Sequence, residues 1–283
     1  MAKITLITDS TAYLSSDFVQ KHGIKVVPLK LSWDNDTFRD NVDITAQDFY
    51  QRLEKSNSIP TTSQPSSGDF LTAYKDAAKN ADALVAVLIS SGVSGTVDSA
   101  LMAKKEFSQV PVEIFDSKVT AAGLALMLKA VTSAIEKGGS VREVIEMAQR
   151  VFLSMGVYFV VDNLKYLHKG GRIGGASAFL GSALDLKPIL YLSAEGKIDA
   201  LEKVRTKKKA VSRLIDLAVE KAGGKKAYVG IMQANAIEGA NAIKAELEKR
   251  MDLAEIEIFE LSPTIGTHAG PGTLGIAVHT TAY

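Results

Sequence analysis

The chain has 283 residues, 46% hydrophobic and 23% charged, enough to build two domains of ordinary size around substantial cores. Lysine plus arginine (33) balance aspartate plus glutamate (32), so overall charge gives no reason to expect nucleic acid or an anionic membrane surface as partner. The chain has no cysteine, which excludes disulfides, thiolate metal sites and cysteine nucleophiles and is compatible with a reducing cytoplasm.

The N-terminal segment, Ile4–Thr8, is a short apolar run that reads as a strand and not as the apolar stretch of a signal peptide. Ser15 and Ser16 open a helix that Gly23 ends, and Ile24–Leu31 is strand-like again. Thr45-x-x-Asp48 is a variant capping box before a helix over Phe49–Lys55. Ala83–Ile89 reads as a strand, Val97–Phe107 as a helix, Val112–Phe115 as a strand and Val119–Lys137 as a long helix stopped by Gly138-Gly139. That helix is the most apolar in the chain, but Lys129 and its hydroxyl residues mark it as a core helix and not a membrane span. Ser140–Met155 is amphipathic, with Val141, Val144, Ile145 and Ala148 on one face. Strands alternating with helices in this way predict βαβ units and a mainly parallel sheet.

The pattern changes after Val157–Val161. A glycine-rich stretch, Lys169-Gly170-Gly171-Arg172-Ile173-Gly174-Gly175, precedes two strands, Pro188–Ser193 and Lys197–Val204, which Ala194-Glu195-Gly196 joins as a hairpin. Helix Thr206–Ala222, strand Ala227–Gln233, helix Ile237–Met251 and strands at Glu255–Leu261 and Gly275–Thr281 complete the chain. The reading is therefore an α/β chain of two domains, 1–160 with a mainly parallel sheet and 161–283 an α+β lobe with antiparallel strands. No repeat or low-complexity segment is present, and a cytoplasmic monomer is expected.

Four loops have the composition of ligand sites: Thr8-Asp9-Ser10-Thr11, Thr61 to Gly68, Ser90 to Thr96, and Gly266 to Thr273. The third has the clearest logic. Ligands of open α/β sheets bind beyond the carboxyl ends of strands, where a helix N-terminus offers free N–H groups to an anion. Gly92 and Gly95 permit close backbone approach, and Ser94 and Thr96 add hydroxyls, although either is equally readable as a helix N-cap. His268 is one of four histidines and sits between glycines, away from any apolar periodicity. Asp9 reads as a cap.

Two motif matches fail on context. Gly270-x-Gly272-x-x-Gly275 has the spacing of a dinucleotide fingerprint but runs into a strand and not a helix. Gly92-Val93-Ser94-Gly95-Thr96 departs from the hydrolase elbow G-x-S-x-G at its last position. No Walker loop and no metal-binding spacing occurs, so no cofactor or metal is expected.

Taken in order, Ile7-Thr8-Asp9-Ser10, Thr62-Ser63-Gln64-Pro65-Ser66, Ser90 to Thr96, Phe115-Asp116-Ser117, Lys169 to Ile173, Lys187-Pro188-Ile189-Leu190 and Gly266 to Gly272 resemble the DegV family. The resemblance spans nearly the whole chain. It implies two α/β lobes with a tunnel between them, a long-chain fatty acid in the tunnel, and a carboxylate held by Thr62, Ser94 and His268 with Ser63 and Gly95 beside them. Asp9, Ser10, Thr96, Ser117 and Gly270 would support that site. It further implies a carrier without enzymatic activity of its own, whose bound acid a separate fatty acid kinase converts to an acyl phosphate. Arg172, in a glycine-rich loop expected to be exposed, and Arg205 would face that kinase. A different class of reading makes Ser94 a nucleophile, His268 its base and Asp116 the orienting acid of a hydrolase or acyltransferase. A third makes the chain a carrier or sensor of a non-lipid small molecule.

Overall fold

The computed structural model describes residues 2–180 and 187–283. Its first layer is a parallel four-stranded sheet ordered β2-β1-β6-β7, formed by β1 (Ile4–Asp9), β2 (Lys25–Val27), β6 (Ala83–Leu88) and β7 (Val112–Asp116). β6 is buried at every position, as a central parallel strand covered on both faces must be. Helices α1 (Ser16–His22), α3 (Ser67–Ala78) and α4 (Thr96–Glu106) connect and cover these strands.

A second, six-stranded sheet is ordered β10-β9-β8-β13-β11-β12. Its strands are β8 (Gly156–Val160), β9 (Ile189–Leu192), β10 (Ile198–Glu202), β11 (Ala227–Gln233), β12 (Leu253–Glu260) and β13 (Leu274–His279). Only β11 and β12 run parallel, and the other pairings are antiparallel. This is the mixed sheet that the expected hairpin and returning strands require. Helices α8 (Lys207–Ala222) and α9 (Ile237–Arg250) pack on it.

Between the sheets lie α5 (Ala122–Glu136) and the amphipathic α6 (Val141–Ser154). Seven successive residues of α5, from Ala122 to Leu128, are buried, the signature of a helix enclosed on all sides. One hydrophobic cluster joins Leu6, Val85 and Val87 of the first sheet to α5 and then to Met232, Phe259 and Ala277 of the second. The helix begins three residues later than its apolar run, because Lys118 and Ala121 adopt positive φ (59° and 54°) and turn the chain.

Four features depart from the sequence reading. Ile24–Leu31 is not one strand. Pro28 follows β2, and the chain then enters β3 (Lys30–Trp33), which belongs to a separate antiparallel sheet, β4-β3-β5, with β4 (Asp36–Arg39) and β5 (Thr61–Ser63). β5 was expected to be loop; three residues of threonine and serine carry too little apolar alternation to announce a strand. The segment around His268 is also not a loop: α10 (Pro263–Ala269) starts at Ser262-Pro263, and Gly270 (φ 76°) ends it. Finally, Lys165–Lys169 forms a short helix, α7, which leads into the glycine-rich segment.

Candidate functional site

The carboxyl end of β6, the turn into α4, the strand β5 and the helix α10 converge on one cavity. Its apolar wall comes from both halves of the chain: Leu29, Ile89 and Val93 on one side, Val157, Phe159, Leu192, Ile198 and Met232 on the other, with Leu261, Ile265 and Ala269 from α10 and its approach. Thr62, Ser63, Gln64, Ser94, Thr120, Arg172 and His268 supply most of the polar lining. A mostly apolar concave site with a few convergent polar groups is the ordinary form of a small-molecule pocket.

Thr62 and His268 meet across the cavity: Thr62 Oγ1 lies 2.7 Å from His268 Nε2, although the two residues are 206 positions apart. Burial, reinforced by the nearby Arg172 guanidinium, pushes the His268 imidazole down to about 4, so it is neutral at pH 7. Its Nδ1 is buried and unpartnered among the described residues. That nitrogen faces the backbone of Gly170, where a Cβ would stand only 2.0 Å from it. The first glycine of the Lys-Gly-Gly-Arg-Ile motif thus makes room for the imidazole.

Ser94 Oγ is 2.8 Å from Thr96 Oγ1. Neither hydroxyl caps α4, whose N-cap, Gly95, makes no side-chain bond. The cap reading of Ser94 and Thr96 is therefore set aside, and Ser94 is left lining the cavity. Gly95 has a separate reason to be glycine, since a Cβ there would meet Gln64 Nε2 at 2.7 Å. Ser63 lies beside Thr62 on β5 and also lines the cavity.

A profile of the DegV family, a family described as uncharacterised, matches residues 3–281 of the chain. The chain belongs to the DegV family. A DegV domain-containing protein of Streptomyces coelicolor is 37% identical over 277 residues, covering 97% of this chain and 98% of that protein. Protein DegV of Bacillus subtilis is 35% identical over 275 residues, covering 96% and 98%. Among solved structures, a DegV family protein of Thermus thermophilus described by its fatty acid binding superposes with TM-score 0.93 at 34% identity, over 99% of this chain and all of that one. The Bacillus subtilis DegV structure, described as a fatty acid binding protein, gives 0.92 at 33%, again over 99% and 100%.

Other residues singled out from the DegV-like motifs hold the frame and not the cavity surface. Asp9 is fully buried; it accepts from Thr11 N and Thr11 Oγ1 through one oxygen and from Ile89 N (2.7 Å) through the other. Burial raises its carboxyl, against those three hydrogen bonds. It is a cap, as read, and it also fixes the end of β6 from which the Ser94 loop departs. Ser10 donates to Asp40 and accepts from Leu29 N. Ser117 closes a local turn on Val119, and Gly270 packs against the Tyr166 ring.

Arg172 departs from the expected exposed loop. It is partly buried and lines the cavity, with Nε donating to Val93 O (3.1 Å) and an Nη donating to Gly170 O (2.7 Å). The surrounding glycines serve close packing: Cβ atoms on Gly174 and Gly175 would stand 2.0 Å from Ile198 O and 1.9 Å from Asp199 Oδ1. Arg205 lies at an exposed bend before α8. The hydrolase arrangement is not assembled in this DegV-family chain, because Asp116 is taken up by Ser91 N, Lys118 N and Lys118 Nζ and does not reach His268. Gln64 lies in a loop the sequence singled out but was given no role, and Thr120 and Thr264 carry no sequence signal and reach the cavity only through the fold.

Proposed function

We propose that the protein binds a long-chain fatty acid in this cavity, with the carboxylate at Thr62, Ser94 and His268 and the acyl chain along the apolar wall. The Thr62–His268 contact carries the reading, because it joins two distant elements at the surface of a mostly apolar cavity. A neutral imidazole with its proton on Nε2 donates to Thr62 Oγ1 and leaves the threonine hydroxyl to donate to a carboxylate oxygen. Ser94 acts in the same way when Thr96 donates to it. Ser63 Oγ and the backbone near Gly95 complete a set of donors without which a buried carboxylate is prohibitive. The chain contributes about 0.8 kcal/mol per buried CH2, which supplies most of the affinity. Relatives at 33–34% identity described by their fatty acid binding support the same ligand class.

In this reading the protein is a carrier, and a separate kinase phosphorylates the carboxylate that it presents. Hydroxyl donors suit that step, since they hold the acid without the fixed positive charge of a bidentate arginine clamp. Arg205 would contact the kinase, and Arg172 would face it while bracing Val93 against Gly170. Among the described residues no helix is long and apolar enough to cross a membrane. Mass spectrometry of the protein extracted as purified is the test: a fatty acid at near-stoichiometric level is the expected result. Absence of lipid, together with no calorimetric binding of palmitate or oleate, overturns the proposal.

A further inference from the structure

Asp40 follows β4 and is 1% exposed, yet no lysine or arginine pairs with it among the described residues. One carboxylate oxygen accepts from Ser10 Oγ at 2.7 Å, and the other accepts from Thr264 N at 3.0 Å. Thr264 is the second residue of α10, whose own N-cap, Ser262, makes no side-chain cap bond; Ser262 Oγ is instead 3.1 Å from Tyr13 Oη. The orphan N–H at the start of α10 is therefore satisfied from another part of the chain, by a carboxylate. Ser10 is itself fixed, accepting from Leu29 N at 3.1 Å, and Asp40 N donates to Leu29 O at 2.9 Å. The result is a bracket that joins the end of β1, the approach to β3 and the start of α10. Leu29, Thr264, Ile265, His268 and Ala269 of the bracketed segments line the cavity, whereas Asp40 does not.

We infer that Asp40 is a positioning residue of the ligand site: by capping α10 it sets the height and rotation of that helix, and so places the His268 imidazole against Thr62. The inference rests on the fatty-acid reading for its ligand but on the Asp40–Thr264 geometry for its mechanism. A buried carboxyl without a cation is costly to maintain. Burial pushes Asp40 up to about 6, against the hydrogen bonds from Ser10, Thr264 and Ser262 that hold it down. An apolar residue would avoid that cost but leave Ser10 Oγ–H and Thr264 N–H without an acceptor, so the carboxylate's use lies in what it fixes. The same end of α10 is also held by Tyr13 Oη on Ser262 and Tyr50 Oη on Leu261 O (3.0 Å), and Tyr50 and Phe49 press on Gly266, where a Cβ would meet them at 2.5 and 2.9 Å.

The test uses the full chain, stripped of lipid, as parent, Asp40→Asn and Asp40→Leu. Three quantities are read: melting temperature, the His268 imidazole resonances without ligand, and calorimetric affinity for palmitate and oleate. Asp40→Leu removes the buried charge but leaves Ser10 Oγ–H and Thr264 N–H without their acceptor, so its melting temperature falls, the His268 resonances move and affinity falls about ten-fold. Asp40→Asn keeps an acceptor for Thr264 N–H and restores the parent resonances, with affinity within about three-fold. Parent-like His268 resonances in Asp40→Leu overturn the inference, as does an Asp40→Asn protein no better than Asp40→Leu. Should Asp40→Leu not fold, Ser10→Ala loosens the same carboxylate and must shift the His268 resonances, and unchanged resonances overturn the inference. If the parent binds neither acid, the fatty-acid reading fails, and the role of Asp40 is then decided by the imidazole resonances alone.

Discussion

Gly170→Ala tests the head-group geometry from outside the set of proposed ligand contacts. A methyl carbon at Gly170 would stand 2.0 Å from His268 Nδ1 and 2.7 Å from Cε1, where nonbonded atoms settle at roughly 3.5 Å. The imidazole or the Gly170 backbone must give way by about an ångström or more, which takes the 2.7 Å Thr62–His268 contact outside hydrogen-bonding range. Losing one donor to a carboxylate costs about 1–3 kcal/mol. That is roughly a 5- to 150-fold rise in Kd for palmitate or oleate by calorimetry. Global stability falls by less, because overpacking costs about 1–3 kcal/mol while replacing a glycine of helical φ and ψ returns up to about 1 kcal/mol. Gly171→Ala is the control: its φ of 69° makes the substitution strained, but nothing lies within 4 Å of the added atom. It should lower the melting temperature and leave affinity alone. Unchanged affinity in Gly170→Ala, or equal losses of affinity in both variants, refutes the reasoning.

Thr62→Ala and Ser94→Ala should each weaken fatty-acid binding by about 1–3 kcal/mol with the fold intact, and normal affinity with a sharply lowered melting temperature would mark either hydroxyl as structural. Gly196→Ala should unseat the β9–β10 hairpin, because its Cβ would lie 1.9 Å from Ser90 Oγ at a φ of 72°; the checks are a lower melting temperature and faster release of bound acid in stopped-flow exchange. Arg205→Ala should leave affinity within about two-fold while lowering acyl phosphate formation by the kinase, whereas Arg172→Ala should reduce both, since its side chain also ties Val93 O to Gly170 O. Burial holds His268 and His279 down to about 4 in the folded chain, against about 6.5 unfolded, so the unfolded state takes up their protons first as pH falls. Their contribution is complete above about pH 6.5 and is lost progressively toward pH 4, at up to about 1.4 kcal/mol per pH unit for each. Asp40, raised to about 6, works in the opposite sense by holding its proton in the folded state, and opposes folding most above that pH. Urea titrations from pH 4.5 to 7.5 should therefore show a shallower pH dependence for His279→Phe than for the parent, and identical slopes would contradict this.

The sequence alone determined the alternation of strands and helices, the buried α5 and the β9–β10 hairpin, because apolar periodicity and glycine or serine punctuation act within a few residues of themselves. Ser15, Ser140 and Thr206 accept N-cap bonds where their sequence context places helix starts. The family motifs also marked Thr62, Ser94 and His268, and all three line one cavity. What the local sequence could not carry was which segments face each other. Ile24–Leu31 is strand-like on both sides of Pro28, and only pairing partners divide it between two sheets there. At the start of α10 the Thr264 N–H donates to the Asp40 carboxylate, 224 residues away, so that start has little local signal beyond Pro263. The glycines at 170, 174 and 175 looked like the composition of a free loop. Tertiary structure gives each a neighbour instead: an imidazole, a backbone carbonyl and a carboxylate. Composition records that a side chain is missing, but only the packed fold shows what occupies its place.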